Sequence, residues 1–442
     1  MKVITFLLCC LLSSSIFAEK KKPNILIILA DDQGYADVSL NPNHPPEVST
    51  PHIDSLAKSG VIFKHGYTTG HVCAPTRLGL LTGRYQQRYG TYSAGDCGSG
   101  INPSHPLIPQ YMQKAGYVTG AFGKWHLGIE EKHNPVKRGF DEFYGFMGRG
   151  AHDYFDLSGK EDPIFRGLKP VEDKGYLTTR LTEEAIKFID VNKEKPWFCY
   201  LAYNAVHSPQ QAPEEDIKRY NSGNKDRDIL MAMLYHLDEG VGKVVEALKK
   251  SGQYENTIIF YLSDNGGSKK MSANNGKLRG YKQDDYEGGV HVPFYMSWPA
   301  KLKSGTSCDV PVFSMDILTT ACKAAGIEIP QSHEADGQDI LAAVNGDSKK
   351  LRNYFYWNDS KGKWAVRSND GWKIIGVKGK TELFNLNEDL AETTDLKDKY
   401  PEIYQRLFNK YKTWLAQLPE PRSGYKTWAP GLDEKKKKKK KK

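Results

Sequence analysis

The chain has 442 residues, 39% of them hydrophobic and 11% aromatic, which is enough for a packed core and excludes a disordered protein. Its formal charge of +9 is misleading, because the terminal run Lys435 to Lys442 supplies eight of those charges. The rest is nearly neutral, which argues against a nucleic-acid or membrane-surface protein and leaves the lysine run as a solvated tail or a surface contact to an acidic polysaccharide or envelope.

At the N-terminus, MKVITFLLCCLLSSSIFAEK sets one early lysine before an apolar stretch, Val3 to Leu12, and ends in small residues at Ala18. This is the pattern of a secretory signal peptide over 1–18, too short for a stable membrane span. It predicts a periplasmic or secreted protein without stable membrane insertion. Removing it leaves five cysteines, Cys73, Cys97, Cys199, Cys308 and Cys322. In an oxidising compartment an odd count singles out one thiol. Cys199, within the apolar run WFCYLAY, reads as core, while Cys308 and Cys322 are either a local disulfide or two free thiols.

From Pro23 to about Pro299, short apolar runs alternate with helical patterns, as in an α/β fold around a largely parallel, buried sheet. The expected strands are NILIILA (24–30), YVTGAF (117–122), WFCYLAY (197–203), TIIFYL (257–262) and VPFYMSW (292–298). Helices are expected over 176–192 and 229–250. After Arg352 the texture changes to NYFYW, WAVRS, WKIIGV and ELFNL between turn residues, which predicts a small antiparallel sheet. One amphipathic helix, 402–417, would cover it. The implied organisation is a signal peptide (1–18), a catalytic α/β domain (19–345), a C-terminal α+β subdomain (346–433) and the polylysine tail (434–442).

Four of the apolar strands run directly into polar residues that are costly near a core unless they have a task. These are Asp31-Asp32, Lys124-Trp125-His126, Asn204 to His207, and Asp264-Asn265. In a parallel sheet they share the edge outside the strands' carboxyl ends, where such sheets bind ligands. Asp31, Asp32, Asp264 and Asn265 offer hard oxygen ligands suited to Ca²⁺ or Mg²⁺. Arg77, Lys124, His126, His207 and Lys282 are cations or donors suited to a tetrahedral oxyanion. Lys124 and His126, two apart in an extended segment, would point the same way.

In HVCAPTRLGLLTGRY (71–85), Pro75 is expected at the first position of a helix. Cys73 would then sit just ahead of a helix N-terminus that favours negative charge, with Arg77 folding back toward the same anion.

These residues resemble the sulfatase family. Cys73-Ala74-Pro75-Thr76-Arg77 followed by LLTGRY is similar to the signature C-x-P-x-R, and NILIILADDQGYAD, GYVTGAFGKWHLG, NAVHSP, SDNGG and LRGYKQDDYEGGVHVPF resemble family segments in family order. The resemblance implies an alkaline-phosphatase-like α/β fold and a Cys73 oxidised to formylglycine by a maturation enzyme. It implies one Ca²⁺ on Asp31, Asp32, Asp264, Asn265 and the modified residue 73. Arg77 and Lys124 would hold the nucleophile, Lys282 and His207 would bind sulfate, and His126 would accept the proton that expels it. His291 stands where family members commonly carry arginine.

The segment GRGAHDYFDLSG (148–159) resembles loops of bacterial polysaccharide sulfatases, including those acting on carrageenan-like galactans, and of N-acetylgalactosamine sulfatases. His152, Asp153 and His291 are therefore candidate contacts to a sulfated carbohydrate. His152 and Asp153 have an equal alternative as parts of a hydrogen-bonded loop, and Trp357 and Trp364 are either core or sugar platforms. Two rival readings are a phosphate or phosphonate hydrolase on the same scaffold and an inactive glycan-binding protein.

Overall fold

The computed structural model describes residues 22–97, 100–148, 150–159, 163–359 and 361–422. The expected signal peptide and lysine tail lie outside the described residues. The strands in chain order are β1 Asn24–Ala30, β2 Val61–Phe63, β3 Gly66–Tyr67, β4 Val118–Lys124, β5 Glu142–Phe146, β6 Phe165–Arg166, β7 Lys169–Pro170 and β8 Trp197–Ala202. They continue as β9 Thr257–Ser263, β10 Phe294–Ser297, β11 Thr306–Cys308, β12 Val312–Phe313, β13 Tyr354–Asn358, β14 Lys363–Ser368, β15 Trp372–Val377 and β16 Lys380–Asn385.

Ten strands form one sheet in the order β11-β2-β10-β9-β1-β8-β4-β5-β6-β7. Its centre, β9-β1-β8-β4-β5, is parallel throughout. β1 is apolar along its length because both of its faces are covered. Ile25, Ile27 and Leu29 enter one hydrophobic cluster, and Leu26, Ile28 and Ala30 enter the cluster on the opposite face. The helices Leu177–Val191 and Lys225–Lys250 pack on the second face, where their apolar stripes supply Leu181, Phe188, Leu237 and Val244.

The register aligns the parallel strand ends. Ala30 lies opposite Ser263, and Leu29 opposite Ala202, so the residues that follow leave the sheet at one edge. β10 differs from its neighbours. The expected strand 292–298 is paired only over Phe294–Ser297 and runs antiparallel to both β9 and β2. Phe294, its first residue, lies opposite Leu262, so the chain before β10 reaches the same edge as the chain after the parallel strands. Lys282 arrives at that edge through this reversal.

β13 to β16 form the expected antiparallel sheet, covered by the helix Pro401–Leu415, with Trp364 stacked on Tyr411 at 4.0 Å. Trp357 and Trp364 are both buried core residues, and Trp357 Nε1 donates to the Thr68 carbonyl at 2.7 Å. They are therefore no sugar platforms. This sheet shares its core with Tyr67, Tyr85, Val290, Phe313 and Met315 from the larger part of the chain. Among the described residues no helix is long and apolar enough to cross a membrane.

A buried ionic group links the small sheet to the larger part of the chain. Lys373 Nζ, without solvent exposure, lies 2.8 Å from Glu287 Oε1 and 2.9 Å from Glu392 Oε1. Glu392 also accepts the Glu287 backbone N–H at 2.7 Å, and Glu287 Oε2 accepts from Tyr67 Oη at 2.8 Å. Burial opposes the charge of Glu287, but Lys373 and His291 hold its carboxyl well below the ordinary range. Lys373→Met would leave buried carboxylates without their cation and should cost about 3–5 kcal/mol of stability. A urea unfolding midpoint equal to that of the parent would overturn this reading.

Candidate active site

The helix that carries the cysteine is Cys73–Thr82, with Val72 as its N-cap. Cys73 is therefore its first residue and Pro75 its third, so the helix starts two residues earlier than the sequence suggested. Proline is tolerated there because the first-turn N–H groups have no partner within the helix. Every residue of this helix is buried.

Arg77 extends from the helix's second turn into the site. Its Nε and Nη2 donate to Asp264 Oδ2 at 2.9 and 2.8 Å, and its Nη1 donates to the Lys124 carbonyl at 2.8 Å. Lys124 Nζ in turn meets Asp31 Oδ2 at 2.5 Å. Lys282 Nζ lies 2.7 Å from Asp32 Oδ1, and Asn265 Nδ2 donates to the same oxygen at 2.8 Å. His207 Nε2 stands 3.7 Å from Asp32 Oδ2, and its Nδ1 faces the Ser208 carbonyl at 2.9 Å. The six catalytic candidates and the four oxygen-bearing metal candidates thus converge at one edge of the sheet.

His126 arrives differently from the expected alternation. It adopts a left-handed conformation, φ +60°, after β4 has ended, so the strand rule does not direct it. Its ring is buried and Nδ1 has no hydrogen-bond partner. Burial, reinforced by Lys124 and Arg77, holds the imidazole well below its ordinary pKa and keeps it neutral. His207 is likewise brought down to about 4, by burial first and then by Lys124.

Asp31, Asp32 and Asp264 present carboxylate oxygens all within 4.8 Å of one another. Cys73 Sγ, Asp31 and His207 form a second group of the same span. Burial pushes Asp264 up to about 6, with Asp31 adding to the effect and Arg77 opposing it. For Asp32 burial acts in the same sense, but Lys282 and His207 prevail and hold it at about 2. Burial also raises the Cys73 thiol, which leaves it a poor nucleophile as it stands.

Asp31 Oδ1 and Asn265 Oδ1 are buried oxygens without a hydrogen-bond partner. Unpaired buried acceptors beside clustered carboxylates, with no nitrogen or unmodified thiolate required, fit a hard divalent cation of the Ca²⁺ or Mg²⁺ type.

The candidate sugar contacts already have partners inside the protein. His291 has no solvent exposure, and its ring nitrogens are taken by Glu287 Oε2 and the Lys64 carbonyl, each at 2.9 Å. Asp153 shapes its own loop: Oδ1 accepts from the Phe155 and Asp156 N–H groups, and Oδ2 from Gln211 Nε2, each at 2.8 Å. His152 is buried against Phe146, with Nδ1 at 2.7 Å from the Asp153 carbonyl and Nε2 unpartnered.

Other residues of the site carry roles that the sequence did not assign. Asn204 Nδ2 donates to the His152 carbonyl at 3.0 Å, tying that loop to the end of β8. His71, two residues before Cys73, is buried with Nδ1 2.6 Å from Asp285 and Nε2 3.8 Å from Asp359. Burial works against its charge, but Asp285 overcomes this and raises its pKa. The HVC and KQDD segments contained both residues, but nothing local marked them as partners.

A family model described as Sulfatase matches residues 23–327. The chain belongs to the sulfatase family. A second model, N-sulphoglucosamine sulphohydrolase, C-terminal, matches residues 281–420. The chain is 34% identical over 408 residues to the sulfatase YdeN of Escherichia coli (strain K12), covering 78% of this chain and 71% of that one. It is 31% identical over 363 residues to N-acetylgalactosamine-6-sulfatase of Mus musculus, covering 76% and 68%. Among solved structures, Ps i-CgsB in complex with k-i-k-neocarrahexaose superposes with a TM-score of 0.86 at 35% identity, over 94% of this chain and 96% of that one. This sulfatase is accordingly a sulfuric ester hydrolase.

If the oxygen cluster takes a divalent cation, Ca²⁺ added to chelator-treated sulfatase should stabilise it by about 2.7 kcal/mol at a hundredfold excess over Kd. Calorimetry would show a higher thermal midpoint, and Asp31→Asn should blunt the response. A midpoint indifferent to Ca²⁺ and Mg²⁺ would contradict the assignment.

Proposed function

We propose that this sulfatase removes sulfate from a sulfated glycan, using an oxidised residue 73 and one Ca²⁺. The observation that carries the chemistry is the convergence of Cys73, at a helix N-terminus, with three carboxylates and three cations in a single buried cluster. The glycan reading is supported by the names of two relatives, one an N-acetylgalactosamine-6-sulfatase and the other a structure holding a neocarrahexaose.

Ca²⁺ would be held by Asp31, Asp32, Asp264, Asn265 and residue 73, and when bound it supplies charge stabilisation to the sulfate oxygens. Residue 73, once oxidised to formylglycine by a maturation enzyme and hydrated by one water, supplies a geminal diol, which has a second hydroxyl with which to release sulfate; a thiol has none. Asp264 takes the proton from the attacking hydroxyl. Arg77 and Lys124 neutralise the charge that results. Lys282 and His207 bind the sulfate, and one of them protonates the departing sugar oxygen. His126, held neutral, then accepts the proton of the remaining hydroxyl. Export through the segment 1–18 would bring the enzyme to such a glycan.

The metal-free cluster is close to neutral, because Asp31, Asp32 and Asp264 face Arg77, Lys124 and Lys282. Adding a dication leaves an excess of positive charge, which an anionic substrate balances.

Mass spectrometry of the peptide containing residue 73 should find aldehyde in active preparations. Cys73→Ala should keep the parent's thermal midpoint yet lose activity by a factor on the order of 10³ or more. Full activity from an unmodified thiol would sink the mechanism. Matched sulfate and phosphate esters separate this reading from a phosphohydrolase, and faster phosphate release would favour the latter.

A further inference from the structure

The loop that carries Lys282 is held from two sides. Toward the catalytic edge, the Lys282 N–H donates to the Gly267 carbonyl at 3.0 Å and the Gln283 N–H to the His71 carbonyl at 2.9 Å. From the other side comes Lys363, the first residue of β14. Its Nζ lies 2.5 Å from the Gln283 carbonyl and 2.8 Å from Asp284 Oδ1.

Between these bonds Gln283 adopts φ +79°, a left-handed conformation disfavoured for any residue with a side chain. Such a conformation persists when its surroundings over-determine it. Here both backbone polar groups of the residue are engaged, one by the segment leading to Cys73 and the other by the small sheet. Relaxing Gln283 toward an ordinary φ would rotate the adjoining peptide and carry Lys282 Nζ off Asp32.

We propose that Lys363 is a positioning residue of this sulfatase, clamping Gln283 in its left-handed turn so that the Lys282 ammonium meets Asp32; this rests on the role proposed above for Lys282. Three further observations agree. The Lys363 side chain keeps 23% exposure and belongs to none of the hydrophobic clusters. Its contacts go to the Lys282 loop rather than to its own sheet. Its own N–H donates to Asp359 Oδ1 at 2.8 Å, and the other oxygen of Asp359 lies 3.8 Å from His71, whose carbonyl holds Gln283. Lys373, by contrast, has no exposure and serves stability.

The test compares the matured parent with Lys363→Met, Lys363→Arg and the double variant Lys363→Met/Gln283→Gly. Three quantities are measured: thermal midpoint, amide hydrogen exchange across residues 279–289, and kcat and KM on para-nitrophenyl sulfate. Lys363→Met should leave the midpoint within a few degrees, speed exchange at the Lys282 and Gln283 amides, and lower kcat/KM by about tenfold or more. Lys363→Arg, which keeps the charge and the donors, should retain most of the activity. Glycine at 283 takes a positive φ without a clamp, so the double variant should recover activity to within about threefold of the parent. Parent-like exchange and kinetics in Lys363→Met would overturn the proposal. So would an activity loss that follows a general fall in midpoint without recovery in the double variant. A parent inactive on sulfate esters would count against the sulfatase mechanism instead, and the exchange data would still decide whether Lys363 holds the loop.

Discussion

Arg77 has its guanidinium spread across three parts of the chain. Two of its nitrogens donate to Asp264, beyond β9, and a third donates to the Lys124 carbonyl at the end of β4. The residue itself belongs to the helix that begins at Cys73. A planar, permanently charged fork can hold two such partners in fixed relation, which a lysine point charge cannot. Because every group in this contact is excluded from water, a shift of the helix would strand a charge in the core, and that penalty is what sets the position of Cys73.

Around this contact the site is organised by charge compensation. Lys124 on Asp31 and Lys282 on Asp32 repeat the pairing of Arg77 with Asp264, so that three carboxylates can stand within a few ångströms of one another. Without those cations their mutual repulsion, added to burial, would drive them to protonate and remove them as ligands. The same three cations are the groups available to an anion. In the mechanism proposed above, the residues that make the cluster tolerable inside the protein would also meet the anionic substrate, so that stability and recognition would draw on one set of charges.

The parallel half of this site was legible in the sequence. A strand buried on both faces reads as an unbroken apolar run, and the polar residues at the ends of β1, β4, β8 and β9 followed directly from those runs. Lys282 was harder to place by pattern, because it precedes its strand; only the antiparallel direction of β10 brings it to the same edge. Pairings between distant segments left no local signal at all. His291 lost its candidate role because Glu287, four residues earlier, and the Lys64 carbonyl from another strand consume its nitrogens. Asp153 is engaged by its neighbouring backbone, as aspartates in tight loops often are. The clamp from Lys363 spans 80 positions in the chain, and neither end of it has a recognisable motif.

The four cysteines whose side chains are described, Cys73, Cys199, Cys308 and Cys322, are all free and all buried. The open alternative for Cys308 and Cys322 thus resolves as two thiols, both lodged in the same hydrophobic cluster. Burial raises the pKa of each, which depletes the thiolate needed for exchange or oxidation. Cys308 in β11 and Cys322 in the helix Asp316–Ala324 behave as small apolar side chains that fill one core. Among the described cysteines no disulfide forms, so no covalent tie joins the strand of Cys308 to the helix of Cys322, and packing alone brings the two side chains into one cluster.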